Sequence, residues 1–235
     1  MNWQAAAIKP RERIIVALDL PSADTALRLV RQLGPHSGYF KIGLQLYTAA
    51  GPEVVRAVRE LGGRIFLDLK LHDIPNTVAR AVESACSLGV EMVTIHLSGG
   101  GVMIEAAVRA AMPELLLLGV TVLTSADEAT LREIGVDAAM QDQVLRLAKL
   151  GSDFGIGGLV ASPHELGTLR DALGSKIKIV TPGIRPAGSP MGDQKRTMTP
   201  AEALKAGADF LVIGRPITAA PDPRAALEQI VADVV

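Results

Sequence analysis

The segment RIFLDLKLHDIPNTV, residues 64–78, joins an apolar run to a polar turn and a helix-like sequence. The apolar run has the composition of a buried strand, yet it contains Asp68 and Lys70, and Asp73 follows closely. Charges are costly inside an apolar strand unless they are paired. We therefore interpret the segment as a strand, a loop and a helix, with its charges gathered where the strand ends.

Similar units recur on both sides of this segment. Segments of helical period, such as SADTALRLVRQLG and PEVVRAVRELGG, alternate with apolar runs rich in β-branched residues. Several helices are expected to end at a glycine, which readily adopts the left-handed conformation that closes a helix. These glycines are Gly34, Gly62, Gly89 and Gly207. Strands are predicted near residues 13–19, 38–43, 64–70, 92–97, 115–123, 158–162, 177–182 and 209–214.

Alternating strands and helices predict right-handed βαβ units and a parallel sheet. Eight such units in about 220 residues predict an α/β fold, a single (β/α)8 TIM barrel. The barrel domain is expected to span residues 1–235, with residues 1–12 as an N-terminal extension that packs outside it. A doubly wound open sheet is the alternative, but no G-x-G-x-x-G follows the first strand.

Two glycine-rich or polar segments have more than one interpretation. GGGVMIE at residues 99–105 reads as a flexible helix start, with anion binding at the helix N-terminus as the lesser alternative. The polar stretch at residues 185–200, RPAGSPMGDQKRTMTP, joins the seventh and eighth strands. Loops of this length in a compact domain are usually functional or disordered. We expect a lid over a ligand, with a mobile surface loop as the alternative.

The composition excludes several classes of function. The chain has 24 Lys and Arg against 25 Asp and Glu, so its net charge of −1 gives no bulk attraction to nucleic acid or to anionic lipid. Its one cysteine, Cys86, excludes an intrachain disulfide and a thiolate metal cluster, and reads as a small core residue. No signal peptide or membrane-length apolar run is recognised, which predicts a cytoplasmic protein.

Polar residues recur where the predicted strands end, which is where barrel enzymes have their active sites. Asp68 and Lys70 are two positions apart, so strand alternation predicts that they share the face that points into the barrel mouth. Asp19 and Lys41 should point into the same space. Interleaved charges can keep each other ionised, with Lys70 as a cation poised to donate a proton. A structural ion-pair network is the alternative, although buried pairs stabilise poorly compared with apolar packing.

A second cluster suits a phosphate group. Strands seven and eight form the usual phosphate corner of this barrel. Gly214 allows the backbone to approach an anion, and Arg215 can contact phosphate oxygens in a bidentate manner. Arg185 and Gln194 lie on the candidate lid. A solvated surface arginine is the alternative for Arg215.

The four histidines give a weaker signal. His36, His72 and His164 lie on predicted loops or helix starts and are expected to make ordinary polar contacts. His96 lies at a strand end and is expected to support the site from behind the residues that touch a ligand. No two histidines have metal-ligand spacing on one element, so no metal site is predicted. No G-x-S-x-G elbow indicates a serine nucleophile.

At this point FLDLKLHDIPNTV resembles the D-x-K-x-x-D-I-x-x-T signature of the orotidine 5′-monophosphate decarboxylase family. The signature's D-x-K-x-x-D part is shared with related phosphate-binding barrel decarboxylases and aldolases, but the motifs further along make the resemblance specific. The resemblance covers the chain from about residue 12, with matching motifs in the family's order. They are VALD (16–19), FKIG (40–43), TVLTS (121–125), TPGIRP (181–186), GDQKR (192–196) and GADFLVIGRPI (207–217).

The resemblance implies a role for each matching residue. Lys70 corresponds to the proton-donating lysine, and Asp68 to the carboxylate beside the substrate's own carboxylate. Asp19 and Lys41 correspond to ribose-contacting groups, with Lys41 also part of the charge array. The other implied substrate contacts are Thr124 at the pyrimidine ring, Ile74, Pro182, and, on the phosphate and lid side, Arg185, Gln194, Gly214 and Arg215.

The implied reaction is loss of CO2 from C6 of the orotate ring, giving uridine monophosphate with no metal and no organic cofactor. The resemblance also implies a homodimer in which Asp73 and Thr77 enter the neighbouring site. Two alternatives stay open. One is a Mg²⁺-dependent sugar-phosphate lyase or aldolase on the same barrel, such as a 3-keto-gulonate-phosphate decarboxylase or a hexulose-phosphate synthase. The other is a catalytically silent binder of phosphate ligands.

Overall fold

Eight parallel strands form a closed barrel in the computed structural model, which describes residues 8–186 and 198–234. Each strand pairs with the next along the chain, and β1 pairs with β8 through Ile14 and Leu211. This closure confirms the predicted (β/α)8 barrel and excludes the open sheet. The strands are β1 Ile14–Ala17, β2 Tyr39–Gly43, β3 Ile65–Leu71, β4 Met92–His96, β5 Leu116–Val120, β6 Gly158–Val160, β7 Lys178–Thr181 and β8 Phe210–Ile213.

Helices surround the barrel and follow the strands in the predicted alternation. Ser22 caps the first of them by accepting a hydrogen bond from the N–H of Thr25. The four glycines predicted to end helices, Gly34, Gly62, Gly89 and Gly207, all have positive φ. The GGG motif begins a helix at Gly101. The described helices are α1 Ala23–Leu33, α2 Leu44–Glu60, α3 Pro75–Ser87, α4 Gly101–Ala110, α5 Glu128–Glu133, α6 Met140–Asp153, α7 Leu166–Leu173, α8 Pro200–Lys205, α9 Arg215–Thr218 and α10 Pro223–Ala232.

Two apolar clusters separate the interior of the barrel from its outer layer. Residues of one strand parity, such as Tyr39, Phe66 and Phe210, fill the interior. Residues of the other parity, such as Phe40 and Leu67, pack with the helices. Side chains alternate along a strand, so parity assigns each strand residue to one of the two layers. Lys41, two residues after Tyr39, therefore enters the upper barrel.

A bulge interrupts this alternation in β3. Leu67 pairs with Val93 of β4, but the next pairing joins Leu71 to Ile95, so β3 advances by four residues where β4 advances by two. Lys70 lies inside the bulge with φ of 51°, the one positive φ of a non-glycine residue in the described ranges. A left-handed conformation is costly for a side chain with a Cβ, and it occurs mostly where surrounding contacts impose it.

Several predicted strand ends are wrong by a few residues. β5 ends at Val120 rather than reaching Thr124, because its ladders with both neighbouring strands stop there. Thr124 lies instead in the turn that follows. β1 ends at Ala17, before Asp19, and β7 ends at Thr181, so Arg185 lies beyond an isolated bridge between residues 184 and 198.

The ends of the chain add two facts. Ile8 packs against the interior cluster, next to a short 3-10 helix at Pro10–Arg13. Residues 1–7 of the predicted extension, and residues 187–197 of the predicted lid with Gln194, lie outside the described residues. Among the helices that are described, none combines the length and the apolar character needed to cross a bilayer.

Candidate active site

A cavity of about 360 Å³ opens at the carboxyl ends of the barrel strands. That volume lies within the range of small-molecule sites. Its floor is apolar and its walls hold the charged groups. The floor and side lining include Ala17, Phe66, Val120, Val122, Leu123, Val160 and Val212, and the polar lining includes Asp19, Lys41, Asp68, Lys70, Thr124, Arg185 and Arg215.

One wall of the cavity is a continuous chain of opposite charges. The Lys41 ammonium donates to Asp19 Oδ1 at 2.7 Å and lies 3.8 Å from Asp68 Oδ2. The Lys70 ammonium donates to both oxygens of Asp68, at 2.8 and 2.9 Å. The side chains of Lys41 and Asp68 are only 11% and 13% exposed, so solvent screens this contact weakly. The order Asp19, Lys41, Asp68, Lys70 leaves each ion next to an opposite charge.

The convergence of Asp68 and Lys70 has a different cause from the predicted one. Regular alternation places Asp68 in the mouth, in step with Phe66, but the bulge breaks that alternation before Lys70. The left-handed backbone of Lys70 brings its side chain back toward Asp68. The two residues therefore meet because of the bulge, and not because strand period two continues to residue 70.

A second wall of the cavity presents two guanidinium groups. Arg185 and Arg215 both line the cavity, and Gly214 lies beside them. Burial first, and then the positive charge of Arg215, lowers the pKa of Arg185. An anion held between two such cations would relieve their repulsion. A Cβ added at Gly214 would make only an ordinary contact with Ala17, so the missing side chain leaves open space in the cavity.

Three predicted site residues do not line the cavity of their own chain. Asp73, Ile74 and Thr77 are exposed around the loop after β3 and the start of α3, and Ile74 keeps 67% of its surface exposed. The Asp73 carboxylate accepts a hydrogen bond from the N–H of Ile74. Thr124 and Pro182, by contrast, are among the lining residues.

Comparisons with known proteins identify the family of this chain. Residues 12–230 match the model of the orotidine 5'-phosphate decarboxylase / HUMPS family. The chain belongs to this family. The orotidine 5'-phosphate decarboxylase of Moorella thermoacetica is 51% identical over 233 residues, which cover 95% of this chain and 92% of that protein. The protein of the same name from Syntrophotalea carbinolica is 49% identical, with 97% and 96% covered.

Solved structures of similar proteins have the same architecture. The orotidine 5'-phosphate decarboxylase of Lactobacillus acidophilus superposes with a TM-score of 0.84 at 38% identity, over 94% of this chain and 98% of that one. An uncharacterized conserved protein from Geobacillus kaustophilus also reaches 0.84, at 32% identity, over 94% of this chain and all of the other. The family predicted from the motifs is confirmed.

His96 lies behind the cavity wall of this family member. Its ring centroid is 5.6 Å from that of His72, and it is partly buried at the end of β4. Burial is the main effect that lowers the pKa of His96, followed by His72 and Lys70, while Asp68 opposes them. A neutral imidazole adds no positive charge beside the Lys70 ammonium at neutral pH. His72, which was expected to make only ordinary polar contacts, is exposed and lies beside the His96 ring.

Sequence reasoning missed two residues of the charged wall. A Cβ at Gly43 would lie 3.0 Å from Lys41 Nζ and 3.2 Å from Asp19 Oδ1, so this glycine gives the ion pair its room. Thr94 is fully buried and hydrogen-bonds to both Asp68 and Lys70. A signal for Thr94 was available, since it shares the parity of Met92 and lies on the strand next to β3.

The described residues offer no cluster of metal ligands. Within residues 8–186 and 198–234, no group of three or more His, Cys, Asp or Glu side chains is arranged to hold a metal ion. The carboxylates nearest the cavity, Asp19 and Asp68, have lysine ammonium groups as their partners.

Proposed function

We propose that this chain is a carboxy-lyase that converts orotidine 5′-monophosphate to uridine 5′-monophosphate in de novo pyrimidine biosynthesis. Family membership, and relatives of that name at about half identity over nearly the whole chain, support the proposal. The observation that carries it is the position of Lys70. Its ammonium is held by both oxygens of Asp68 on one wall of a cavity whose other wall has two arginines.

The chemistry follows from the charge that develops in the substrate. When the bond between C6 and the carboxyl carbon breaks, the electron pair stays on C6 and CO2 leaves. A fixed ammonium beside C6 stabilises that charge without reorganising solvent, which is usually the largest single catalytic contribution. A proton then moves from Lys70 Nζ to C6, and the neutral amine regains a proton from water.

Asp68 has two functions in this scheme. It holds Lys70 in place, and it faces the carboxylate of the substrate, whose repulsion raises the energy of the bound ground state. The second effect is the smaller one in our proposal, since ground-state destabilisation is the weaker general mechanism. Lys41 lies 3.8 Å from Asp68 and bonds to Asp19, so it balances the negative charge and presents Asp19 to the ribose.

The arginine wall suits the phosphate of the substrate. Arg215 and Arg185 supply charge-assisted donors, and Gly214 leaves space for the phosphate oxygens. Thr124 and Pro182 also line the cavity, and we assign them to the pyrimidine ring. Phosphate binding far from C6 supplies energy that is expressed at the transition state. A role for the lid and for Gln194 stays a prediction from the sequence, since residues 187–197 lie outside the described ranges.

We further propose that the active unit is a homodimer. Asp73, Ile74 and Thr77 are exposed and absent from the cavity lining of their own chain, although the family signature includes them. An exposed isoleucine beside an exposed acid fits a surface that a second copy covers. In that dimer Asp73 and Thr77 extend into the neighbouring cavity. The cytoplasmic location inferred from the sequence stays a prediction.

A direct assay tests the activity. Purified protein incubated with orotidine 5′-monophosphate should release one CO2 for each uridine 5′-monophosphate formed, at the same rate with and without EDTA. Activity that disappears with EDTA and returns with Mg²⁺ on a sugar phosphate would favour the lyase or aldolase alternative instead. Tight binding of the nucleotide without CO2 release would favour the silent binder.

Subunit mixing tests the shared site. Lys70→Ala and Asp73→Ala variants should each be inactive, but a refolded equimolar mixture should regain about one quarter of the wild-type activity, because half of the dimers then hold one intact site of two. The control mixture of Lys70→Ala with Asp68→Ala should stay inactive, since both lesions are expected in the same chain's half-site. An inactive first mixture with dimers shown by sedimentation would contradict contributions from two chains.

A further inference from the structure

Thr94 is a buried hydroxyl residue on β4, directly behind the charged wall. It has no exposed surface and shares the interior parity of Met92 two residues earlier. Its neighbours on β3 are the residues of the bulge, between the pairings of Leu67 with Val93 and of Leu71 with Ile95. Thr94 therefore lies opposite the one place where the strand pairing of β3 is irregular.

The hydroxyl of Thr94 makes two hydrogen bonds of fixed direction. The backbone N–H of Lys70 can only donate, and it does so to Thr94 Oγ1 at 2.8 Å. The carboxylate of Asp68 can only accept, and its Oδ1 receives the single proton of the Thr94 hydroxyl at 3.0 Å. One hydroxyl thus connects the main chain of Lys70 to the side chain that holds the Lys70 ammonium.

The hydrogen bond to Thr94 stabilises an unfavourable main-chain conformation at Lys70. Its φ of 51° lies in the left-handed region, which is unfavourable for a residue with a Cβ. Conformations of this kind persist where the surrounding structure fixes them, and they cluster at functional sites. Thr94 supplies an acceptor for the Lys70 N–H in the part-buried bulge, and an N–H that loses its acceptor there would cost free energy.

The same hydroxyl orients the carboxylate. Asp68 Oδ1 accepts from both Thr94 and Lys70, and Oδ2 accepts from Lys70 while facing Lys41 at 3.8 Å. Rotation of the carboxylate from this orientation would break its hydrogen bond with Thr94 and at least one of its hydrogen bonds with Lys70. The carboxylate is therefore fixed from behind by a neutral donor and from the front by two ammonium groups.

We propose that Thr94 is a positioning residue for the decarboxylation, acting through Lys70 and Asp68 without touching substrate. This inference rests on the proposed role of Lys70 as the proton donor. Thr94 sets both the backbone conformation that presents the lysine and the orientation of the carboxylate that holds it. Catalysis depends steeply on such placement, since a displacement of about 1 Å can cost on the order of 10²-fold in rate.

The test compares three substitutions at Thr94 in the full-length protein. Thr94→Val keeps the shape and removes the hydroxyl, and it should lower kcat by about ten- to a hundred-fold. KM should change less than about threefold, because the arginine wall is intact. Thr94→Ser, which keeps the hydroxyl, should restore most of kcat, and Thr94→Ala provides a smaller replacement if the valine variant is poorly folded.

Thr181→Val is the matched control. Thr181 is equally buried on β7, but it has the parity of the outer layer, and its hydroxyl has no hydrogen-bond partner among the described residues. Its kcat and KM should match those of the wild type. An impaired Thr181→Val variant would mean that any buried threonine loss perturbs catalysis, and that result would overturn the assignment.

Two further outcomes would overturn it. One is a Thr94→Val enzyme with kcat within twofold of the wild type, and the other is a Thr94→Ser enzyme as impaired as the valine variant. A crystal structure of Thr94→Val gives a readout independent of turnover, in which Lys70 should leave the left-handed region or its ammonium should separate from Asp68. Failure of the wild type to release CO2 would instead count against the proposed function, and the crystal structure would still decide the role of Thr94.

Discussion

Charge clusters lie at both ends of the barrel, and their surroundings differ. At the carboxyl end, Asp68 and Lys70 bond to each other beside an open cavity. At the amino end, Asp209 accepts from the N–H of Ile179 and from Arg170, and pairs with Lys178 at 3.4 Å. Arg170 also donates to three backbone carbonyls. We call Arg170, Lys178 and Asp209 the base cluster.

The difference teaches how to separate a structural ion network from a functional one. The base cluster joins the amino ends of β7 and β8 to the neighbouring turns, because Arg170 and Asp209 form hydrogen bonds with main-chain groups there. The mouth residues bond mostly to each other, and one of them adopts an unfavourable backbone conformation. Placing strain and charge around an empty space gains little stability, which is typical of an active site.

The largest expected effect is the loss of activity in Lys70→Ala. Removing both the stabilising ammonium and the proton donor should lower kcat by at least about 10³-fold, which combines typical electrostatic and acid–base contributions. The melting temperature should not fall by more than a few degrees. Turnover is measured by CO2 release, with the exposed Lys149→Ala of α6 as the control. Substantial activity in Lys70→Ala would contradict a catalytic role for the charged residues of the cavity, which would then be a structural ion network like the base cluster.

Asp209→Ala should lower the stability of the protein while leaving its activity nearly unchanged, which is the reverse of the effect expected for Lys70→Ala. It leaves Arg170 and Lys178 without their shared carboxylate and the Ile179 N–H without its acceptor. Breaking a largely buried pair should lower the free energy of unfolding by about 3 kcal/mol. Thermal and denaturant unfolding measure the loss, and kcat below the melting transition should stay within about twofold of the wild type. A large fall in kcat with unchanged stability would show that the base cluster is not purely structural.

Arg215→Ala tests the second wall of the mouth. Loss of a charge-assisted contact to phosphate should reduce kcat/KM by roughly 10- to 100-fold. Steady-state kinetics measure this. With a substrate that lacks the phosphate, added inorganic phosphite should raise the kcat/KM of the wild type but not that of Arg215→Ala. The control is Arg224→Ala, an exposed arginine of α10 paired with Glu228. Equal kcat/KM in the two variants would withdraw the phosphate assignment.

The smallest expected effect concerns backbone strain in the bulge. Lys70→Gly and Lys70→Ala both remove the side-chain chemistry, but glycine accepts a φ of 51° and alanine does not. The glycine variant should be more stable than the alanine variant by about 1 kcal/mol. Chemical denaturation of the two inactive proteins gives the difference. If alanine is the more stable, the left-handed conformation at residue 70 is not a source of strain.

Much of the site could be predicted because polar residues at strand ends are visible in the sequence. Lys41, Asp68, Lys70, Arg185 and Arg215 all reach the cavity. The error at Thr124, predicted to end a strand, arose because an apolar run does not reveal where its neighbours stop pairing. Parity alone placed Thr94 on the interior face of its strand, but the sequence does not show that the bulge in β3 brings Asp68 and the Lys70 N–H to its hydroxyl.

The sequence by itself determined the alternation of strands and helices, the parity that separates the barrel interior from its outer layer, and the charges at the strand ends. These properties depend on side chains within a few residues of each other. Tertiary structure decided the bulge in β3, the left-handed Lys70 and its link through Thr94 to Asp68. The physical reason is that a register shift and a buried hydrogen bond are set by the adjacent strand, β4, which begins more than twenty residues later in the chain than Asp68.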